Sequence, residues 1–409
     1  TVFISNQNNM SRDYQPVYVL PEGTRQETGK SAQKNNIKAA KLVAETVRST
    51  LGPKGMDKLL VNAMNDITIT NDGVTILDEM EIQHPIAKMV VDIARTQENE
   101  VGDGTTTAVI LAGELLAKAE GLIDRQIHPT IITRGYRLAS EKAHETLNSL
   151  GEAIDVKDKE TLSKIVKTAM TGKGAEVVKD VLASLVVQAV LAAESKDAIA
   201  VEKRVGHPVE DSQVVSGLII DKEKVHPDMP TEKKQAKVAL LNCPLEIRDT
   251  ETDAKISITS PQQMQAFLDQ EETILRQIAE KIIKSGANVV FCQKGIDEMA
   301  QYFLAKAGVL AVRRVKQSDM KRISLATGGK VVYDVKELDD TTLGSADVIE
   351  KGEGDSTFIH ILNAAKKKYS TILVNGNTEH VAEEAMRAVE DAMGDLFSVL
   401  KSKKAVSGA

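Results

Sequence analysis

Residues 100–116 read EVGDGTTTAVILAGELL and place two glycines around an aspartate, three threonines after them and an apolar helical pattern at the end. Thr105, Thr106 and Thr107 would occupy the cap and first turn of the helix, where unpaired N–H groups and the positive end of the helix dipole favour an anion. The glycines let the backbone approach a phosphate closely, and Asp103 can hold the Mg²⁺ that neutralises it. The stretch predicts a nucleoside-triphosphate site, although taken alone an ordinary turn with a threonine cap explains it at least as well.

The composition limits which partners to expect. A chain of 409 residues with 42% hydrophobic content can bury a sizeable core and suggests two or three domains. The net charge of −7, without a long block of like charge, argues against a nucleic-acid partner. Only 3% of residues are aromatic and none is Trp, which argues against a base-stacking platform and a membrane aromatic belt. Because no signal-like or membrane-spanning segment stands out, we expect a cytoplasmic protein with no membrane partner.

Hydrophobic periodicity divides the chain into a helical part, an α/β part and a helical return. The first part predicts a helix that stops at Gly52-Pro53, a hairpin with Asp72-Gly73 at its tip and further helices over about 85–150. The pattern remains helical over about 151–212. From about Gly217 it changes to β-like runs separated by helices, and a helix returns after Asn375-Gly376. We therefore expect a nested chain path, with the α/β part inserted into a helical one and hinges near 217 and 375–376.

Three further segments could contribute to a nucleotide site. The turn Thr50–Pro53 in STLGPKG could approach a nucleotide closely, although a simple helix stop is the favoured reading of its composition. Asp72 and Asp391 could together orient and deprotonate a water that attacks a γ-phosphate, whereas separately they read as turn chemistry and a solvated helix carboxylate. Lys173, between two glycines, could reach a phosphate, but GKG lacks the spacing of a Walker loop.

The motifs, taken in order, resemble those of group II chaperonins, the thermosome family of archaea and its eukaryotic cytosolic relatives, with the archaeal thermosome the closer match. The resemblance covers nearly the whole chain, and several motifs are long and collinear. They are STLGPKGMDKLL, TITNDGVTIL, EVGDGTTTAVILAGELL, IHPTIITRGY, TGKGAE, LLNCPLEIRDTETDAKISIT, NVVFCQKGID and EHVAEEAMRAVEDAMG.

The resemblance implies a multidomain α and α/β chaperonin fold. A helical equatorial ATP-binding domain would span 1–150, and 398–409 would begin its return. A small intermediate hinge domain would take 151–214 and 375–397. The inserted α/β apical domain, 215–374, would bind clients and carry a helical lid protrusion at about 251–286.

The resemblance also implies a mechanism and partners. The chain would be a Mg²⁺-dependent ATP hydrolase that encloses unfolded client proteins in a lidded double ring of identical or paralogous subunits. Asp103 would ligate Mg²⁺, and Asp72 and Asp391 would position the hydrolytic water. The phosphates would lie against Gly104, Thr105, Thr106 and Thr107. The remaining contacts to the nucleotide would come from Thr50, Leu51, Gly52, Pro53 and, as the γ-phosphate sensor, Lys173.

The lid protrusion would be a long helix. Ser260 is its expected N-cap, with Pro261 at the first helical position and Gln263 completing a capping box. Gly286 is expected to stop it. Its apolar stripe would pack the apical core through the C-terminal part and meet clients or neighbouring lids through 264–268; the stripe consists of Met264, Phe267, Leu268, Leu275, Ile278 and Ile282.

Two departures from the family pattern shape the expectations. The segment before the apical domain is shorter than usual. In the family, a glycine-rich turn such as KAVSGA is followed by a long segment that completes the equatorial domain, and here the sequence stops at Ala409. The alternative function is therefore a truncated, non-hydrolytic holdase or client-binding fragment unable to form rings. A metabolic ATPase or kinase ranks third, because no substrate-specific acid, base or metal cluster stands out in the sequence.

Overall fold

The computed structural model describes residues 28–407 except 53, 63–64, 66, 81, 175–177, 194, 248–260, 354–355 and 366–368, and only the backbone of 261, 263, 264, 353 and 356. The helices are α1 (Gly29–Arg48), α2 (Gly73–Asp78), α3 (Pro85–Glu100), α4 (Thr105–Asp124), α5 (Pro129–Leu150), α6 (Lys159–Met170), α7 (Lys179–Ala192), α8 (Pro261–Lys284), α9 (Glu298–Lys306), α10 (Gln317–Thr327) and α11 (Glu379–Ser402). The strands are β1 (Lys58–Val61), β2 (Ile67–Thr70), β3 (Glu152–Ala153), β4 (Ile199–Val205), β5 (Gln213–Ser216), β6 (Leu218–Ile220), β7 (Glu232–Leu241), β8 (Val289–Cys292), β9 (Leu310–Val312), β10 (Val331–Val332), β11 (Gly344–Glu353), β12 (Ser356–Leu362), β13 (Ser370–Gly376) and β14 (Lys404–Ala405).

The first helical unit, α1 to α5, packs α4 against α1 and α3. Its core is aliphatic and includes Val43, Val47 and Val109, which are at most 5% exposed. α3 and α5 both begin with proline after a histidine whose ring accepts a backbone N–H, so the sequence sets both starts locally. The predicted helices over 85–150 are confirmed, as is the helix that ends before Gly52.

The expected hairpin tip at Asp72 is wrong. The antiparallel hairpin lies earlier, with β1 paired to β2 from Lys58↔Thr70 to Val61↔Ile67. Asp72 instead caps α2, because its Oδ2 accepts hydrogen bonds from Thr75 N at 2.8 Å and Thr75 Oγ1 at 2.7 Å. The aspartate side chain that sequence reasoning assigned to a turn therefore satisfies the start of a helix.

The second unit, called here the connecting unit, combines α6, α7 and α11 with a three-stranded sheet of order β4-β13-β5. The expectation that 151–212 is entirely helical is wrong, because β4 pairs in parallel with β13, from Ile199↔Ser370 to Val205↔Gly376. A strand whose partner lies so far along the chain has no local signature, and tertiary pairing decides it. The chain thus enters and leaves the α/β unit through the same small core.

The α/β unit has a sheet of order β6-β12-β11-β7-β8-β9, with β10 also paired to β7. β7, β8 and β9 run parallel, and β11 and β12 are antiparallel to their neighbours. Helices cover both faces: α8 and α9 pack on one, where Leu241 points, and α10 packs on the other, where Leu240 points. The predicted change to β-like runs from about Gly217 is confirmed, because GLIID, KVALLNC, NVVFC, VLAVRRV, KVVYDV and FIHIL all contain strands. A further β-like run, KISIT, lies outside the described residues.

The helix expected to form the lid protrusion is present as α8. It ends just before Gly286, whose φ is 83°. Its C-terminal part packs on the sheet through Leu275 and Ile282, at 3% and 0% exposure. Phe267 and Leu268 are exposed, at 38% and 46%. The expected capping residue at position 260 and the side chains at 263 and 264 lie outside the described residues.

The two cysteines, Cys243 and Cys292, are buried and are not joined by a disulfide bond. The Cys292 thiol donates to the Cys243 carbonyl oxygen at 3.3 Å, and burial raises its pKa to about 12. None of the helices in the described part of the chain combines the length and apolarity needed to cross a membrane.

Candidate functional site

The turn before α4 is built on two glycines in the left-handed region. Gly102 has a φ of 100° and Gly104, at the N-cap position, a φ of 78°. The Gln97 side chain donates to the Asp103 carbonyl oxygen at 2.9 Å and holds the turn against the end of α3. Gly104 has no side chain that could cap the helix, so the first-turn N–H groups of α4 are available to bind an anion at the turn. We call residues 102–107 the phosphate turn.

Asp72 lies beside the start of α4. Its Oδ1 is 3.5 Å from Thr105 Oγ1, and Thr105 is 5% exposed. The next residue, Gly73, touches the same helix end so closely that an added Cβ would lie 3.1 Å from Thr106 N. The short helix α2 thus brings one of the two predicted water-positioning carboxylates against the phosphate turn.

Helix α11 brings the second carboxylate from the other end of the chain. Its Gly394 backbone contacts the phosphate turn, and a Cβ added to Gly102 would lie 2.8 Å from Gly394 Cα. Asp391, one turn earlier, keeps only 16% of its side chain exposed. The glycine pair therefore permits the close approach that places Asp391 over the turn.

Lys173 joins the two sides of the site. Its Nζ lies 2.5 Å from Asp391 Oδ2 and 3.5 Å from Asp103 Oδ1. Burial lowers the pKa of Lys173, but the Asp391 and Asp103 carboxylates raise it by more, so the pKa is raised overall. Burial raises the pKa of Asp391 to about 7 against the opposing effect of the ammonium group. The predicted residues Asp72, Asp103, Lys173 and Asp391 are therefore brought together.

The turn after α1 is not joined to them in the same way. Thr50 is 7% exposed and its hydroxyl donates to the Val47 carbonyl oxygen at 2.8 Å, while Leu51 is 46% exposed and Gly52 has a φ of 82°. No hydrogen bond or ion pair among the described residues links 50–52 to the phosphate turn. Pro53 lies outside the described residues, so the role expected for this turn stays a prediction.

Comparison with known proteins identifies the family. A model of the TCP-1/cpn60 chaperonin family matches residues 43–409. The chain belongs to this family. It is 55% identical over 410 residues to a thermosome subunit of Methanopyrus kandleri, covering 98% of the chain and 75% of the relative. It is 52% identical over 403 residues to the thermosome subunit alpha of Archaeoglobus fulgidus, covering 96% and 74%.

A solved structure agrees with this placement. The open-state monomer of a group II chaperonin from Methanococcoides burtonii superposes with a TM-score of 0.56 at 42% identity, covering 75% of this chain and 73% of the other. The predicted resemblance to group II chaperonins and the predicted fold class are confirmed. The limits of the three domains within this chaperonin chain stay predictions.

Sequence reasoning missed several residues of the site, and α11 carries three of them. Arg387 and Asp395 lie four residues before and after the predicted Asp391 and so share its side of the helix, a periodicity that could have pointed to these two. Burial, with the Asp103 carboxylate adding to it, raises the pKa of Asp395 to about 6. The third, Gly394, makes the contact with the phosphate turn described above.

A charged cavity of about 210 Å³ adjoins the two aspartates. Its lining includes Glu98 from α3, Glu390 from α11 and Lys196 from a 3₁₀ turn that leads into β4. Burial raises the pKa of both glutamates, and Lys196 opposes the shift in both. The cavity is polar and large enough for several water molecules, so water can reach Asp72 and Asp391 from this side.

The donor set fits a magnesium ion that arrives with its nucleotide. No group of three or more His, Cys, Asp or Glu side chains in the described ranges is arranged to hold a metal ion. Mg²⁺ in phosphate-binding sites typically takes one or two carboxylates and completes its octahedron with phosphate oxygens and water. Asp103, with 34% of its side chain exposed at the phosphate turn, can supply that carboxylate.

Proposed function

We propose that this chaperonin chain is a subunit of an ATP-driven protein-folding chamber and that its phosphate turn binds Mg²⁺-ATP. The observation that best supports the nucleotide site is Lys173, which lies between a carboxylate at the turn and a carboxylate on α11. A buried cation held by two carboxylates at a helix N-terminus is suited to exchange one of them for a phosphate.

In the proposed site, the first-turn N–H groups of α4 and the hydroxyls of Thr105–Thr107 bind the phosphate oxygens. Asp103 holds the ion, which supplies charge neutralisation when bound. Asp391 accepts the proton of the attacking water, since a pKa of about 7 suits a general base at neutral pH. Asp72, already fixed by Thr75, orients the same water.

The two aspartates belong to different packing units, which makes hydrolysis depend on their docking. Asp72 is in the first helical unit and Asp391 is on α11 of the connecting unit. We therefore propose that closure of the connecting unit completes the site and couples hydrolysis to movement. The proposed equatorial, intermediate and apical domains follow the boundaries predicted from the sequence.

The α/β unit is the proposed client-binding part. The exposed Phe267 and Leu268, in the N-terminal part of α8, present apolar surface suited to unfolded polypeptides or to neighbouring lids. The further partners are identical or paralogous subunits in stacked rings, and the proposed place of action is the cytoplasm.

ATP turnover by the purified chain, with and without Mg²⁺, tests the proposal. We expect Asp391→Asn to lower kcat by about 10²–10⁴-fold, because the general base is lost, and to leave the Kd for Mg²⁺-ATP within about threefold. Asp340→Asn, an exposed carboxylate paired with Lys237 in the α/β unit, is the matched control and should behave as wild type.

Equal turnover in wild type and Asp391→Asn would remove the assigned base. Client aggregation suppressed to the same extent with and without ATP would indicate the non-hydrolytic holdase instead.

A further inference from the structure

Residues 70–72 are hydrogen-bonded to two elements that lie beside them, helix α11 and the loop that carries Lys173. Thr70 ends β2 and is 2% exposed. Its Oγ1 accepts hydrogen bonds from Arg387 Nη1 and from the backbone N–H of Asp72, both at 3.1 Å. Arg387 lies one turn before Asp391 on α11, so one buried hydroxyl connects the backbone of the first aspartate to the helix of the second.

Asn71 makes the corresponding connection to the loop that carries the lysine. Its Nδ2 donates to the Gly172 carbonyl oxygen at 2.6 Å, and Gly172 directly precedes Lys173. Lys173 in turn donates to Asp391 at 2.5 Å. Residues 70–72 are thus hydrogen-bonded to two distant parts of the chain, α11 and the loop that carries Lys173.

These contacts close a ring. From Asp72 the chain of contacts runs through Asn71 to the lysine loop, through Lys173 to Asp391, and through Arg387 and Thr70 back to Asp72. Asp72, Lys173, Arg387 and Asp391, which belong to this ring, also line a cavity of about 10 Å³. That volume corresponds to about one water molecule, and the charged groups of these four residues can hydrogen-bond to it.

We propose that Thr70, Asn71 and Arg387 are positioning residues that hold Asp72 and Asp391 at the separation needed for a single water. The inference rests on the proposed ATP hydrolysis and identifies residues that act through the two aspartates. A merely structural role would require only that the segment be buried. The bonds instead reach the two elements that carry Asp391 and Lys173, which is the arrangement a water-positioning site requires.

The test compares Thr70→Val, which keeps the shape and removes the hydroxyl, with Thr70→Ser, which keeps the hydroxyl. We expect kcat to fall by about 10–100-fold in Thr70→Val, because a small displacement of either aspartate misplaces the water. The Kd for Mg²⁺-ATP should stay within about threefold, and Thr70→Ser should recover most of the lost turnover. Backbone hydrogen exchange at Asp72 should be faster in Thr70→Val and close to wild type in Thr70→Ser.

Arg387→Met provides a second route if Thr70→Val does not fold, because the arginine side chain is only partly buried, at 23% exposure. It should reproduce the loss of kcat, and in the Thr70→Val background it should add little, since both changes break the same hydrogen bond. Turnover by wild type together with unchanged kcat in Thr70→Val or Arg387→Met would overturn the positioning role alone. Absence of turnover in wild type would overturn the proposed hydrolysis and, with it, this inference.

Discussion

The contact between Gly102 and Gly394 leads to a prediction that separates folding from function. In Gly394→Ala, the new Cβ would lie 2.8 Å from Gly102 Cα and would also overlap the Val101 carbonyl oxygen. The Val101 carbonyl oxygen would be the nearest atom, at 2.4 Å, and ordinary van der Waals contact begins at 3.4 Å, so the two backbones must separate by 1.0 Å, the difference between these distances. Overpacking of this kind costs about 1–3 kcal/mol.

This cost is confined to the docked arrangement, because α11 on its own should gain about 0.5–1 kcal/mol when a helical glycine becomes alanine. The equilibrium constant for docking should therefore fall by about 5–150-fold, the equivalent of about 1–3 kcal/mol, and kcat should fall by up to the same factor. The thermal midpoint of the chain should change little. Gly135→Ala, in α5, is the matched control, since an added Cβ there meets nothing within 4 Å.

The assay is kcat at saturating Mg²⁺-ATP, with circular dichroism melting of each variant. Unchanged kcat in a folded Gly394→Ala would refute the reasoning, because it would mean that turnover does not require α11 to rest on the phosphate turn. A similar loss of kcat in Gly135→Ala would do the same, by showing that the effect does not come from the contact.

Two further predictions concern stability. Burial, and to a lesser extent the Asp319 carboxylate, raises the pKa of Glu202 from 4.5 to about 7. Between these two pH values the folded chain keeps a proton on Glu202 that the unfolded chain has lost. The free energy of unfolding should therefore decrease by up to about 3 kcal/mol as the pH rises through this range. Glu202→Gln should therefore raise the melting midpoint at pH values above 7 and leave it unchanged below 4.5. An equal change in melting midpoint in the two pH ranges would contradict the burial argument. In α4, Gly113→Ala should destabilise the chain by about 1–3 kcal/mol, because its Cβ would overlap that of Ala44. Gly121→Ala, where nothing lies within 4 Å, should stabilise it by about 0.5–1 kcal/mol in denaturant titrations, and the opposite order would contradict the packing of α1 on α4.

Features encoded within a few residues could be predicted from the sequence. The phosphate turn and the start of α4 depend on glycines, threonines and a short apolar period, and they form where the pattern places them, except that Gly104 and not a threonine occupies the N-cap position. The same holds for the stop of α8 at Gly286. In each case the deciding interactions lie within one or two helical turns.

Other features depended on partners that are distant in sequence. The Asp72 side chain had two local uses, a hairpin tip or a helix cap, and the fold chose the second. The strand β4 forms because β13 returns beside it, and no pattern in IAVEKRV requires that. Arg387 and Thr70, 317 positions apart, meet only because α11 docks on the first helical unit.

The sequence by itself determined which groups were available: an aspartate between glycines, a helix start suited to an anion, and a lysine and a second aspartate far downstream. Only the tertiary structure decided that Lys173 and Asp391, 218 positions apart, lie at 2.5 Å and that burial raises the pKa of that aspartate to about 7. The reason is physical. Helix starts and turns follow from hydrogen bonds between near neighbours, whereas burial and charge pairing depend on the packing of distant segments.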